Sequence, residues 1–237
     1  MIYIQSNNEG LPHHFDVACV LYGAKDLGIP YKLITFEELQ SGKFDNLIKS
    51  HCFAGSVEFM REVFNRVNIK DPRVPLNSDR NHVIRTLKEI RQDVSNGVEW
   101  FVKPTQIKLF TGLVVDQLTI SSLKDFDDAL EVMIYDVFPS KILSEWRCYI
   151  HNNKIVDVRN YSGDLFSMIG YPFINSIINK YKDTFPIAYT IDVGVLKHDN
   201  VVIEFNDMWA IGNYGISNDL YVRMLRDRYF EIIKIGK

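Results

Sequence analysis

The stretch 189–207 constrains this chain more than any other. Tyr189-Thr190-Ile191-Asp192-Val193-Gly194-Val195-Leu196 and Val201-Val202-Ile203-Glu204-Phe205-Asn206-Asp207 read as two strands joined by a short polar turn. Side chains alternate between the faces of a strand, so Glu204 and Asn206 share one face while Ile203 and Phe205 share the other. Asp192 sits on the neighbouring strand. Three oxygen-bearing side chains flanked by apolar residues suit Mg²⁺, a hard cation that takes carboxylate and amide oxygens. The plain alternative is a solvated hairpin whose acids face water.

Register decides whether the three meet. A loop of His198-Asp199-Asn200 between Lys197 and Val201 puts residue 192 opposite 206, with 204 as its diagonal neighbour on the same face. Asn200 tolerates the positive φ with which such a loop ends. A loop shorter or longer by one residue turns Asp192 to the wrong face. The sequence therefore predicts the loop 198–200.

A second hairpin is predicted from Ser144-Glu145-Trp146-Arg147-Cys148-Tyr149-Ile150, a turn at Asn152-Asn153, and a return over 154–161. With the loop 151–153, Arg147 faces Asp157 and Glu145 faces Arg159, and opposite charges across a ladder contribute roughly 0.2–1 kcal/mol. One face then carries Glu145, Arg147, Asp157 and Arg159, with Trp146 and Cys148 on the other. This is either an exposed salt-bridge ladder or a set of guanidiniums, fixed by carboxylates, that can grip phosphate oxygens bidentately.

A third element is the short apolar strand Trp100-Phe101-Val102-Lys103-Pro104, followed by Thr105 to Gly112. A lysine at a strand end beside a Thr/Gly-bearing loop suits the neutralisation of nucleotide phosphates, although the glycine spacing of a Walker A loop is absent. An ordinary surface lysine is the competing reading.

In this order these residues resemble the signature of the ATP-grasp superfamily: Phe101-Val102-Lys103-Pro104, then Tyr135-Asp136-Val137-Phe138 running into Glu145-Trp146-Arg147, then Asp192-Val193-Gly194 and Glu204-Phe205-Asn206-Asp207. Ile211-Gly212-Asn213-Tyr214-Gly215 and Arg226-Asp227-Arg228-Tyr229 narrow the resemblance to a compact clade of bacteriophage and bacterial genomes. It covers 77–228 well and the first third more loosely. The resemblance implies ATP and Mg²⁺ as cofactors. It also implies that Lys103 contacts the α- and β-phosphates, and that Lys108 lies in the loop covering the triphosphate. Asp136, Val137 and Phe138 match the segment whose backbone reads the adenine edge, and Glu145 belongs to the same nucleotide-binding set. Asp192, Glu204 and Asn206 match the metal ligands, while Arg147 and Arg159 match catalytic cations beside the γ-phosphate. The glycine-rich cover loop and an upstream strand-end lysine are missing, with Arg80 or Arg85 available to supply the latter's charge.

The chain has 237 residues, 46% hydrophobic and 24% charged, with a net charge of −3. That length supports one large domain or two small ones, and the charge gives no reason to expect nucleic acid as a partner. No apolar stretch is long enough for a membrane span, and Met1-Ile2-Tyr3-Ile4-Gln5 turns polar too soon for a secretory signal. Cys19, Cys52 and Cys148 are too widely spaced for a disulfide framework or a zinc site, so the cytoplasm is the expected compartment. The adjacent His13 and His14 read as loop residues.

The first third reads β–α–β–α: strand 1–4, helix 16–27 closed by Gly28, strand 31–35 and helix 56–67. Pro72 and Pro75 mark a boundary. Beyond it the sequence predicts a helix over 77–94, the Lys103 strand, a helix or turn at 123–130 and a strand over 131–138. The two charged hairpins follow, separated by a helix over 171–181, and the chain ends in a helix over 218–235. The fold class expected is α+β with an α/β N-terminal part, an ATP-grasp fold at 76–237 preceded by a small Rossmann-like, pre-ATP-grasp domain at 1–75. The nucleotide is expected between sheet layers, its phosphates running from Lys103 toward the acidic face.

The function expected is an ATP-dependent ligase joining a carboxylate to an amine through an acyl-phosphate, acting on a small molecule or peptide. A kinase on the same fold and a non-catalytic nucleotide-binding module are the alternatives. Oligomeric state is not legible in the sequence.

Overall fold

The computed structural model describes residues 1–70, 72, 82–106 and 109–235. They fall into two compact units, 1–76 with 143–237 and, separately, 77–142.

The first unit begins with β1 (Ile2–Gln5), α1 (Phe15–Asp26), β2 (Tyr31–Ile34), α2 (Phe36–Gln40), β3 (Cys52–Ala54) and α3 (Val57–Asn65). β1 lies between β2 and β3, parallel to both, and every one of its residues is buried. Central position explains why it is apolar over most of its length rather than alternating. The helix starts are written locally. Thr35 and Glu38 form a reciprocal capping box at α2, and the Ser56 hydroxyl accepts the Phe59 amide at α3.

The second unit contains β4 (His82–Thr86), α4 (Leu87–Ser95), β5 (Trp100–Pro104), β6 (Leu113–Val115) and β7 (Glu131–Tyr135). Its sheet runs β4-β7-β5-β6, with antiparallel neighbours. Leu87, Ile90 and Val94 of α4 pack on Val102, Val115, Val132 and Ile134. The helix predicted over 77–94 needs correction. Residues 77–81 lie outside those described, 82–86 form a strand, and the helix starts at Leu87. The cause is a second capping box, Thr86 with Glu89, preceded by the β-branched Val83 and Ile84, which prefer a strand. Ile84, which would point inward from a helix, is 54% exposed on β4. The strand predicted over 131–138 ends at Tyr135, and a short 3₁₀ helix (Ile120–Leu123) precedes the turn expected near 123–130.

The chain then returns to the first unit with β8 (Ser144–His151), β9 (Lys154–Gly163), α5 (Tyr171–Tyr181), β10 (Ala188–Val195), β11 (Asn200–Asp207) and α6 (Asn218–Ile235). The sheet order is β11-β10-β8-β9, antiparallel throughout. One face, through Cys148, Ile150, Ile191 and Val193, packs on Ile174, Ile177 and Ile178 of α5. The other contributes Tyr149 and Ala188 to a core shared with β1, α1, α3 and α6. Long-range hydrogen bonds fasten the two ends of the chain. Tyr229 Oη donates to the Ile48 carbonyl at 2.8 Å and Trp209 Nε1 to the Pro72 carbonyl at 2.7 Å. No helix among the described residues is long and apolar enough to cross a membrane.

Gly23 of α1 faces the start of α6 so closely that a Cβ would meet the Asn218 carbonyl oxygen at 2.1 Å. Alanine in an unencumbered helix would stabilise by about 1 kcal/mol. Here Gly23→Ala is expected to destabilise by about 1–3 kcal/mol, because backbone must move aside. A urea midpoint equal to or above that of the parent chain would show the α1–α6 packing to be wrong.

Candidate functional site

β10 and β11 bring Asp192, Glu204 and Asn206 onto one face, by a route that differs from the predicted one. The loop spans 196–199, closed by the Leu196 amide donating to the Asp199 carbonyl at 2.8 Å, and Asn200 opens β11 opposite Val195. Continued without interruption, that pairing would set Asp192 opposite Ile203 and turn Glu204 away. A β-bulge restores the face: Val193 pairs with Val202, Asp192 with Glu204, and Ile203 is the extra residue. Asp192 therefore sits opposite Glu204 rather than 206, and Asn206 opposite Thr190. Asn206 Nδ2 lies 3.4 Å from Asp192 Oδ2 and 3.2 Å from Glu204 Oε1.

The second hairpin also departs from its predicted register. Asn152 and Asn153 both take positive φ, 51° and 57°, and form a two-residue turn with His151 opposite Lys154. Asparagine pairs favour that left-handed turn over the three-residue loop 151–153. Bulges at Val156 and Tyr161 follow, and Arg147 falls opposite Arg159, with Glu145 opposite Ser162. The charge pairs Arg147–Asp157 and Glu145–Arg159 do not form across the ladder. Instead Arg159 pairs with Asp157 along its own strand at 2.6 Å. Arg147 pairs across the other ladder with Asp192, which lies directly opposite on β10.

That second pair is the centre of the site. Arg147 Nε donates to Asp192 Oδ1 at 2.8 Å and Nη2 to Oδ2 at 2.7 Å, with side chains 6% and 3% exposed. Nη1 donates to the Gly212 carbonyl at 3.3 Å. The Tyr214 ring lies 4.2 Å from Cζ and the Tyr161 ring 6.0 Å, the two rings being 5.2 Å apart. Burial opposes the charge of Arg147, yet the Asp192 carboxylate holds its pKa above the ordinary arginine value. Burial pushes Asp192 up to about 6; Arg147 pulls the other way and Glu204 adds to the rise. Burial, with the Asp192 and Glu145 charges, raises the Tyr161 phenol, which stays a donor at neutral pH.

The donor set fits a small hard cation. Two carboxylates and one amide converge, and each Asp192 oxygen keeps a lone pair beyond its bond to Arg147. A half-turn of the Asn206 amide would present its oxygen where Nδ2 now points. Among the described residues no group of three or more His, Cys, Asp or Glu side chains is arranged to hold a metal ion, since the third donor here is an amide.

The remaining predicted residues are set differently. Lys103 of β5 pairs with Met133, its Nζ 5.7 Å from the Phe101 ring and 5.9 Å from the Tyr135 ring. Gly112 makes room for its stem: a Cβ there would meet Lys103 Cγ and Phe101 Cζ at 2.9 Å. Asp136, Val137 and Phe138 follow β7 in an irregular connection. Lys103 and 136–138 belong to the 77–142 unit; Glu145, Arg147, Arg159, Asp192, Glu204 and Asn206 belong to the other. Lys108 and Arg80 lie outside the described residues. Arg85 is bound to Asp93 at 2.5 Å. His14 stands at the N-terminal boundary of α1 and faces Asp16 at 3.6 Å.

Sequence reasoning gave no role to the segment that closes the site. Tyr149 Oη donates to the Asn213 carbonyl at 2.5 Å, and the Asn213 amide donates to Asp16 Oδ1 at 2.8 Å. Tyr214 takes φ +46° and Gly215 φ +90°. A left-handed backbone costs an aromatic residue about 1–3 kcal/mol, so the surroundings hold it there. Arg228 of α6 grips Asp207, the last residue of β11, at 2.8 and 2.6 Å. The run Ile211 to Gly215 was visible as a motif, but its contact with Arg147 has no sequence signal.

A family model for an ATP-grasp domain, family 2 of its clade, matches residues 78–224. The chain belongs to this ATP-grasp family. Solved structures agree on the fold. The ATP-grasp ligase PsnB, complexed with precursor peptide PsnA2 and AMPPNP, gives a TM-score of 0.51 at 9% identity over 96% of each chain. D-alanine–D-alanine ligase from Bacillus anthracis complexed with ATP gives 0.51 at 14% identity, covering 100% of this chain and 98% of that one. D-cycloserine synthetase DcsG gives 0.53 at 11% identity, covering 98% and 99%. A comparison with curated proteins gives no match.

Asp192→Ala leaves the Arg147 charge buried and unpaired, and is expected to destabilise this ATP-grasp protein by about 3–5 kcal/mol. The double change Arg147→Met with Asp192→Leu should cost less than either change alone. Equilibrium urea unfolding checks this, and additive losses would show that the two side chains are not coupled.

Proposed function

We propose that the protein is an ATP-dependent carboxylate–amine ligase that acts through an acyl-phosphate. The observation that carries this reading is the convergence of Asp192, Glu204 and Asn206 beside the buried Arg147, in a chain of the ATP-grasp family. The ligases PsnB, D-alanine–D-alanine ligase and DcsG share its fold and support the reaction class. A peptide or amino-acid acceptor is favoured, because PsnB was solved with a precursor peptide. The family match begins at residue 78, which supports 76–237 as the ATP-grasp domain and 1–75, with its parallel β2-β1-β3 sheet, as the Rossmann-like pre-ATP-grasp domain. Three buried free thiols favour a reducing compartment such as the cytoplasm.

A free carboxylate acylates poorly because its leaving group would be oxide. Attack of its oxygen on the γ-phosphorus of ATP forms a new O–P bond, breaks the bond to the β-phosphate oxygen and releases ADP. Attack of an amine on the resulting acyl-phosphate forms the C–N bond, expels phosphate and sheds the amine proton to solvent. The protein's work is positioning and charge neutralisation. Mg²⁺ held by Asp192, Glu204 and Asn206 would bridge the β- and γ-phosphates. Lys103 and Lys108 neutralise phosphate charge, and the backbone of Asp136, Val137 and Phe138 reads the adenine edge. Glu145 completes the nucleotide-binding set. Arg147, with its charge fixed by Asp192, and Arg159, held by Asp157, stabilise charge on the transferring group.

Lys103→Ala and Glu204→Ala are each expected to lower the rate of ADP release by about 10²–10³. Release should require a carboxylate and an amine together. Near-native turnover in either variant removes the assignment, and a phosphorylated acceptor that persists without amine would replace the ligase by a kinase.

A further inference from the structure

Tyr214 is held where it would not rest by itself. Its backbone is left-handed, at φ +46°, between Asn213 and Gly215, residue types that accept such a conformation readily. The surroundings enforce it: Tyr149 Oη binds the Asn213 carbonyl, Asp16 accepts the Asn213 amide, and Asn213 Oδ1 accepts the Gly215 amide at 2.8 Å. A residue suited only to loop stability here would be glycine or asparagine. The side chain is also 49% exposed, so burial of apolar surface does not account for it. What the strained backbone achieves is the placement of an aromatic face 4.2 Å from Cζ of Arg147.

Arg147 is otherwise fixed only at its edges. Asp192 takes Nε and Nη2, and the Gly212 carbonyl takes Nη1. In-plane contacts set the position of a guanidinium but leave its tilt free. A ring stacked on one face removes that freedom, and Tyr161, 5.2 Å from Tyr214, backs the ring. Gly212 keeps the space clear, since a Cβ there would lie 3.5 Å from Tyr214 Cε1 and 3.8 Å from Arg147 Nη1. We propose that Tyr214 is the positioning residue for Arg147: its ring fixes the guanidinium plane toward the transferring group, and backbone strain is retained for that purpose.

The kinetic side of this inference rests on the ligase reading, whereas the placement itself does not, and the experiment separates the two. Three variants are compared. Tyr214→Phe keeps the π face, Tyr214→Leu keeps bulk and backbone strain without it, and Tyr214→Gly relieves the strain, so a folded protein is assured. In ¹⁵N-resolved spectra, Arg147 Nε–H should resonate upfield from ring current in the parent chain and in Tyr214→Phe. In the Leu and Gly variants it should return toward the ordinary arginine position and broaden. With Mg–ATP, kcat in those two should fall by about 10²-fold while the KM for ATP changes little, because only orientation is lost. The Phe variant should retain turnover. An unshifted Arg147 signal in the Leu variant, relative to the parent chain, overturns the proposal whatever the activity. So does a Leu variant as active as the Phe variant. A parent chain with the ring-current shift but no ATP turnover overturns the ligase reading and leaves the placement of Arg147 standing.

Discussion

Everything at the site depends on one buried contact, the bidentate pair of Arg147 on β8 with Asp192 on β10. Taking both charges out of water is costly, and their attraction offsets that cost only when the geometry is good and the remaining protons find acceptors. Here the Gly212 carbonyl takes a third hydrogen bond and the Tyr214 ring covers a face. Such a pair adds little net stability compared with apolar side chains. Its consequence is specificity: any slip of β8 against β10 would separate the two groups and leave each unpaired. The pair thus pins the central register of the sheet, and the neighbouring strands are fitted to it by bulges.

Those bulges explain how turn chemistry and site geometry coexist. The two-residue turn at Asn152-Asn153 and the loop 196–199 each impose a register of their own on the strands they join. The extra residue Ile203 in β11 then shifts Glu204 and Asn206 onto the face of Asp192. The same face continues into Tyr149 and Ala188, which pack with the N-terminal helices and α6. The polar cluster is therefore bordered by a rigid core, so the amide of Asn206 and the carboxylate of Glu204 approach each other from fixed backbone.

Much of the fold was legible. Helices at 171–181 and 218–235 lie where apolar periodicity put them, and the parallel β–α–β start follows from its strand and helix patterns. The start of α4 was misread because helical periodicity over 77–94 outweighed the Thr86–Glu89 capping box, a local signal that fixes the true boundary. At the site, Arg147, Asp192, Glu204 and Asn206 could be named from strand alternation. Their pairing could not. The sequence offered Asp157 as the partner of Arg147 because charges across a hairpin are the pairing that local reasoning can see. The actual partner lies 45 residues away, on a strand reached only after α5.

Residue types and their alternation along each strand determined which side chains are available on a face, because the two-residue period of a strand is a local property of the backbone. They also determined which motif runs recur in order, and hence the family. Tertiary structure decided which of those side chains meet. Register depends on bulges, and bulges depend on the energy of the whole sheet, on the buried Arg147–Asp192 pair, and on a loop that carries Tyr214 back over it. None of these is a property of a short window of sequence, since each trades a local penalty, a left-handed tyrosine or an unpaired strand residue, against contacts made far along the chain.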